Sequence, residues 1–255
     1  MWVVPGQCGY VRSVSHEVIA LLDHDPDLGR ALDPQRRSAA ERDARAGVIE
    51  VKTGFWNPDP LPQNLRAGLG LLILDGAMVR RVGHRRRGGA ELLGPGDIFR
   101  PWDADGEGGS LTALPTSWRV IEPLRLAVLD QRFAARIAPY PEISSRLVGR
   151  AVERAKSILV QMSIAHHARI DERLALALWH VAERWGRVTP NGVALTLRLT
   201  HELLADLVAA QRPSVTLSLQ HLERAGRIDR RNGTIFLLGD PPSAEQEESR
   251  QALVA

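Results

Sequence analysis

Between residues 200 and 238 the chain carries a run of start and stop signals that leaves it little freedom to fold in any other way. Thr200 stands where a helix N-cap belongs, because its hydroxyl can accept from a free backbone N–H. The helix expected over 202–208 places Leu203, Leu204, Leu207 and Val208 on its buried face. A break at Ala209, Ala210 and Gln211 separates it from Pro213, a favoured first helical residue. The second helix is expected over 213–225 and stops at Gly226. Strands at 228–230 and 234–238 then flank Arg231-Asn232-Gly233, and an Asn-Gly pair in that setting specifies a tight hairpin. Upstream, 188–189 and 193–199 form another hairpin around Pro190-Asn191-Gly192. The pattern is a winged helix-turn-helix.

That order of elements places one helix in a DNA major groove. On the second helix, Val215, Ser218, Leu219 and Leu222 share one side, and Pro213, Leu217, Gln220 and Arg224 share the other. An outward leucine at position 217 can touch thymine methyl groups. Arg212 and Ser214, at the start of the helix, can reach base edges and phosphates. Residues 186–239 hold seven arginines against four carboxylates, which suits a surface that tracks phosphates. Double-stranded DNA is the expected partner. Thr200, His201, Gln211, Thr216 and Arg231 complete the candidate interface with Arg212, Pro213, Ser214, Leu217 and Gln220.

The remaining chain is long enough for a second core. With 255 residues, 44% hydrophobic and 25% charged, it has the profile of a globular protein. Its single cysteine, Cys8, excludes an internal disulfide and fits a reducing cytoplasm. No apolar run approaches membrane-spanning length, and no charged leader precedes an apolar segment, so neither a membrane anchor nor a secretory signal is expected.

Residues 1–46 read as a polar lead-in with a short helix at 17–22, then surface loops over 23–45. From Gly47 short strands alternate with turn signals. Val48, Ile49 and Val51 form one strand, broken by Gly54, Asn57-Pro58 and Asp59-Pro60. Residues 69–74 and 77–82 read as a hairpin closed by Asp75-Gly76. Gly94-Pro95-Gly96-Asp97 is a turn, and 118–121 and 124–129 complete the set. Strands this short and close favour a roll or sandwich.

After Asp130 the period becomes helical. Pro141-Glu142 starts a long helix in which Leu147, Ala151, Ala155, Ile158, Met162 and Ala165 recur at spacings of 4, 4, 3, 4 and 3. Arg146, Arg150, Glu153, Arg154 and Lys156 surround this narrow stripe, so an intermolecular seam is favoured over packing on the chain's own domain. Another helix, 170–185, carries Leu174, Leu178 and Val181 on one face. The acidic segment 240–255 is expected to be disordered.

Three stretches make a family resemblance explicit: Leu199-Thr200-His201-Glu202-Leu203-Leu204-Ala205-Asp206-Leu207-Val208, Arg212-Pro213-Ser214-Val215-Thr216, and Leu222-Glu223-Arg224-Ala225-Gly226-Arg227-Ile228. Over about 170–238 the chain resembles the C-terminal half of the Crp/Fnr regulators. Residues 71–82 with Gly94-Pro95-Gly96-Asp97-Ile98 are similar, less specifically, to the family's effector-domain roll. The resemblance implies an α+β protein. A cyclic-nucleotide-binding-like jelly roll would occupy 1–140, a dimerisation helix and hinge 141–169, and the winged helix-turn-helix 170–239. It also implies a homodimeric transcription regulator, not an enzyme, on a near-palindromic operator. Arg212 would read a base by bidentate hydrogen bonds, and Gln211, Ser214 and His201 would hold phosphates. RNA polymerase and a small-molecule effector are further candidate partners.

The chain departs from the family at several points. Ala209 replaces a frequent glycine in the turn, and Pro213 and Leu217 stand where binders of the best-known operator carry charges. Cyclic-nucleotide binders need a carboxylate for the ribose and a guanidinium for the cyclic phosphate. Here Gly96-Asp97-Ile98-Phe99 runs into Arg100-Pro101-Trp102, and Ile158-Leu159 fall where adenine is offered hydroxyls. Arg100, Trp102, Ile158 and Leu159 are thus the candidate effector pocket, and cyclic AMP is not the expected effector.

Two rival readings remain. One is a cyclic-nucleotide-responsive regulator with an altered pocket. The other is a cupin-type metal enzyme with a DNA-binding appendage, for which His84 is the one histidine between Gly47 and Asp130. The basic run Arg80-Arg81 with His84-Arg85-Arg86-Arg87, the pair His166-His167 and the acids Asp103, Asp105 and Glu107 read as solvated surface, and Trp102 and Trp118 as core. No metal or cofactor is expected.

Overall fold

Asp75-Gly76 lies in the middle of the longest strand pairing in the molecule. The computed structural model of the chain describes residues 14–58, 61, 65–83, 88–105 and 114–242. It divides into two compact units, Met1–Ser157 and Ile158–Ala255. In the first, β1 (Val14–Ala20), β2 (Arg45–Val51), β3 (Gly54–Trp56), β4 (Gly70–Val82), β5 (Gly89–Leu93), β6 (Ile98–Phe99) and β7 (Thr116–Leu129) form one antiparallel sheet. Its path runs β1-β2-β7-β4-β5, with β3 added to β7 and β6 to β4.

β4 and β7 pair from Gly70 opposite Leu129 to Val82 opposite Thr116, and the register shifts between Ile73 and Met78. Gly76 sits in that irregularity at φ +90°. A Cβ there would lie 2.1 Å from the Pro123 carbonyl oxygen, so glycine is required. The expected hairpin at 75–76, and the expected split of 118–121 from 124–129, are therefore corrected to two long, bulged strands. Glycine and proline at these positions bend a strand without reversing it. The turn at 94–97 forms as read, with the Asp97 carboxylate accepting from the Gly94 N–H at 2.8 Å.

Alternate residues of the long strands feed two cores. Leu71, Ile73, Leu126 and Val128 join Trp56, Met78, Phe99 and Trp118 in one, while Leu72, Ala127 and Leu129 join Leu22, Phe133 and Tyr140 in the other. The second core depends on a segment read as loop. The expected helix at 17–22 is instead the edge strand β1, followed by α1 (Leu21–His24). A 3-10 turn at Pro26–Gly29 and α2 (Pro34–Asp43) replace the expected loops. Asp33 caps α2 by accepting from Gln35 N–H at 2.8 Å, and Pro34 begins it. Only Ala40 of α2 is buried, so the helix has no apolar stripe for periodicity to reveal.

α3 (Gln131–Ile137) is capped by Asp130, and α4 (Pro141–His166) follows. Three arginines one turn apart, Arg146, Arg150 and Arg154, line one face of α4. Arg146 bonds Asp27 at 2.6 Å, Arg150 grips the Asp25 carboxylate with both terminal nitrogens, and Arg154 takes Glu91.

The second unit contains α5 (Ile170–Trp185), β8 (Gly186–Thr189), β9 (Gly192–Leu195), α6 (His201–Leu207), α7 (Arg212–Arg224), β10 (Ile228–Arg231) and β11 (Thr234–Leu237). Its sheet is ordered β10-β11-β9-β8. α5 has the bounds expected of it, with Leu174, Leu178 and Val181 buried. Among the described residues no helix is long and apolar enough to cross a membrane. The basic loop at 84–87, Glu107, Cys8 and the acidic segment beyond 242 lie outside the described residues.

Candidate nucleic-acid interface

The helix pair is set by its caps. Thr200 Oγ accepts from the Leu203 N–H at 3.2 Å, starting α6. α6 ends where Ala209 takes φ +50°, the left-handed conformation that glycine adopts freely. The alanine therefore keeps the glycine-type turn, at a steric cost of about 1–2 kcal/mol. Gln211 is extended and α7 begins at Arg212. At its far end Gly226 has φ +66°, Arg227 N–H reaches Leu222 O at 2.9 Å, and Gly226 N–H reaches Glu223 O at 3.0 Å. These two bonds are a Schellman stop. Asn232 and Gly233, both at positive φ, close the β10–β11 wing.

α7 buries Val215, Ser218, Leu219 and Leu222 and exposes Pro213, Leu217, Gln220 and Arg224. Leu217 is 56% exposed on this face. Gln211, Arg212 and Pro213 are exposed at its start, and Ser214 is half-buried. Thr216 Oγ donates to the Arg212 carbonyl at 3.0 Å and lies 3.0 Å from His201 Nδ1, tying α6 to α7. Burial, then the charges of Arg230 and Arg212, hold the His201 imidazole below its usual pKa. Arg231 pairs with Asp229 at 2.5 Å and lies over the Phe236 ring.

A cavity of about 390 Å³ opens between the start of α6, α7 and the wing, with Arg198, Thr200, His201, Arg230 and Thr234 among its polar lining. Arg198 and Arg230 were absent from the sequence-derived set. The clue to Arg198 is its alternation with the buried Leu197 and Leu199. Arg230 had no local clue, since it reaches the cavity through strand pairing and is steadied by Glu223 at 2.6 Å.

The candidate effector residues are arranged differently from expectation. Arg100 is spent on Asp103 at 2.6 Å and on the carbonyls of Gly68 and Arg66 at 2.6 and 3.0 Å. Trp102 is buried beneath it. Ile158 and Leu159 belong to the second unit, and Leu159 is 66% exposed. The expected seam also needs one correction. Leu147 is buried in the roll's own core beside Ile143, Ile158 and Ala165 are half-buried, and Ala151, Ala155 and Met162 are exposed. Exposed apolar residues on α4 include Val148, Val152, Ala155, Leu159 and Met162, with Ala151 and Val160 exposed beside them. Among the described residues no group of three or more histidine, cysteine or acidic side chains could hold a metal.

A helix-turn-helix with a wing, behind an antiparallel sheet domain and a long helix, defines a DNA-binding transcription regulator. The chain matches the Crp-like helix-turn-helix domain family over residues 172–242. It is 28% identical over 166 residues to the CRP-like cAMP-activated global transcriptional regulator of Mycobacterium tuberculosis, covering 63% of this chain and 71% of that protein. The fold is similar to that of a CooA mutant from Carboxydothermus hydrogenoformans, with a TM-score of 0.60 at 18% identity over 92% of this chain and 95% of the other. It is also similar to the c-di-GMP responsive regulator CLP of Xanthomonas campestris, with a TM-score of 0.57 at 16% identity over 82% and 100%.

Proposed function

We propose that the chain binds a near-palindromic operator as a homodimer, and that its effector, if it uses one, is not cyclic AMP. The observation that carries the DNA reading is the outer face of α7. Arg212, Leu217 and Gln220 stand exposed there, and Arg212 makes no ion pair among the described residues. In this reading Arg212 reads a base, Leu217 meets a thymine methyl, and Gln211, Ser214 and His201 hold phosphates. Thr200, Pro213, Thr216, Gln220 and Arg231 complete the surface. The cavity beside the wing seats a backbone phosphate between Arg198 and Arg230. RNA polymerase is the further partner, and the cytoplasm is where both are met. Selection from a randomised duplex pool tests this reading: two inverted half-sites should emerge, and a single asymmetric site would overturn the dimeric reading.

The dimer reading rests on the spacing of five exposed apolar residues of α4. Val148, Val152, Ala155, Leu159 and Met162 follow one another at 4, 3, 4 and 3, the repeat of a two-helix seam. We place the seam there, with Val148, Val152 and Leu159 taking the places of Leu147, Ala151 and Ile158 and with Ala155 and Met162 kept. Leu159→Asp should yield a monomer by light scattering, whereas Leu147→Asp should unfold the roll.

The domain partition follows, with the effector domain over 1–140, the dimerisation helix and hinge over 141–169 and the DNA-binding domain over 170–239. Arg100, held by three acceptors, is a poor substitute for a phosphate-pairing guanidinium. An anion left without such a cation in a dry pocket is strongly disfavoured. Calorimetric titration with cyclic AMP should therefore show no binding at physiological concentration.

A further inference from the structure

The sheet carries one row of side chains whose character changes steadily across it. Trp56 on β3 is registered with Trp118 on β7, Trp118 with Arg80 on β4, and Arg80 with Glu91 on β5. Residues directly opposite in a ladder share a face, so the row runs from indole to indole to guanidinium to carboxylate. The Trp56 and Trp118 rings meet edge to face at 6.1 Å, and the Arg80 guanidinium lies 6.0 Å from the Trp118 ring. At the end of the row α4 contributes a second guanidinium. Arg154 grips Glu91 with two bonds, Nε to Oε1 at 2.5 Å and Nη2 to Oε2 at 2.9 Å. Its remaining terminal nitrogen donates to the Ile98 carbonyl at 3.0 Å, just beyond the 94–97 turn. Arg80 reaches the same Glu91 carboxylate at 2.9 Å.

Glu91 is only 9% exposed, one of three polar or charged residues buried to that degree among the described residues. Two cations converge on it, and donors exceed acceptors along the row: Arg80 Nε and Trp56 Nε1 are buried with no hydrogen-bond partner. A small anion in this place would find two guanidinium groups and an aromatic wall. The chain supplies the anion itself.

We infer that Arg80 and Arg154 form an anion-binding clasp occupied by the chain's own Glu91, and that this tethered carboxylate couples the roll to α4 in place of an external effector. The inference rests on the DNA-binding reading above, because α4 runs on into the unit that carries the helix-turn-helix. Its physical basis is the asymmetry of buried ion pairs. Formed, they fix one arrangement of the elements they join, and with one member removed they leave an uncompensated buried charge that drives those elements apart.

The test uses full-length protein, with operator affinity and melting temperature measured on each variant. Glu91→Gln should weaken operator binding by about tenfold or more, while Asp103→Asn, which releases only the exposed Arg100 pair, should leave it unchanged. Glu91→Ala should lose affinity similarly and regain it in millimolar acetate, but not in chloride of equal ionic strength. Should Glu91→Ala fail to fold, Glu91→Asp, one methylene shorter, should fall between wild type and Glu91→Gln. Glu91 variants that bind the operator as wild type does, whatever their melting temperature, would overturn the clasp. Wild-type protein that binds no operator would instead sink the regulator reading.

Discussion

The roll and the winged helix spend their arginines in opposite ways. In the first unit Arg100, Arg125, Arg146, Arg150 and Arg154 each close onto a carboxylate of the same unit. In the second, Arg169, Arg230 and Arg231 pair with Glu172, Glu223 and Asp229, but Arg198 and Arg212 make no ion pair among the described residues, and Arg198 and Arg230 line a cavity. The first arrangement is internally neutralised and holds elements together. The second keeps positive charge available to a polyanion. The paired cations of the roll serve architecture, and on the reading proposed above those around α7 serve recognition.

The largest expected effect separates the two units by stability. Gly76→Ala puts a Cβ 2.1 Å from the Pro123 oxygen in a backbone that disfavours side chains, so it should cost the roll about 3 kcal/mol or more. Calorimetry should show the roll's transition falling and that of residues 158–255 unmoved. A variant that melts like wild type would show that the bulge relaxes freely.

Arg212→Ala comes next and acts on the other side of the comparison. It should cost about 1–3 kcal/mol in specific binding and relax preference at one base pair per half-site, with melting unchanged. Unaltered specificity in a randomised-site selection would show that Arg212 contacts phosphate only. A smaller effect is expected at the turn. Ala209→Gly removes the left-handed strain and should stabilise the second unit by roughly 1 kcal/mol; a drop in its melting temperature would show that the alanine side chain packs usefully.

The same contrast explains what could be read from sequence. In the winged helix each boundary is decided within a few residues: Thr200 caps, Gly226 stops and Asn232-Gly233 turns, whatever the rest of the chain does. In the roll, Asp75-Gly76 carries a hairpin's local signal, yet pairing with β7 across fifty residues decides the outcome. α2 is hidden from periodicity because its signals are an N-cap aspartate and a proline without an apolar stripe. On α4 two adjacent apolar stripes share Ala155 and Met162, so spacing alone does not choose between them. Periodicity alone cannot say that Leu147 belongs to the roll. The face of α7 was legible because helical period alone determines it. Arg230 was not, because only strand pairing brings it to the cavity.

The smallest expected effect is a pH dependence at His201, where one proton acts with opposite sign on the free domain and on its complex. Thr216 has a single hydroxyl proton, and with that proton donated to the Arg212 carbonyl the neutral imidazole must carry its own on Nδ1. Nε2 is then an acceptor and cannot donate to a phosphate until the ring gains a second proton. In the free protein burial, Arg230 and Arg212 oppose that gain, holding the folded pKa below the ordinary value of 6.5. Folding therefore favours the neutral ring, and this contribution to stability is present above about pH 6.5 and fades as the pH falls through that value. A phosphate beside the ring reverses the balance and raises the pKa in the complex. Operator affinity should consequently rise, by about twofold to tenfold, between about pH 7.5 and about pH 6, while the free domain becomes slightly less stable. His201→Gln should flatten both trends. Affinity that is flat or falls over this range in the wild type would remove His201 from the phosphate contacts and leave it as the structural tie between α6 and α7.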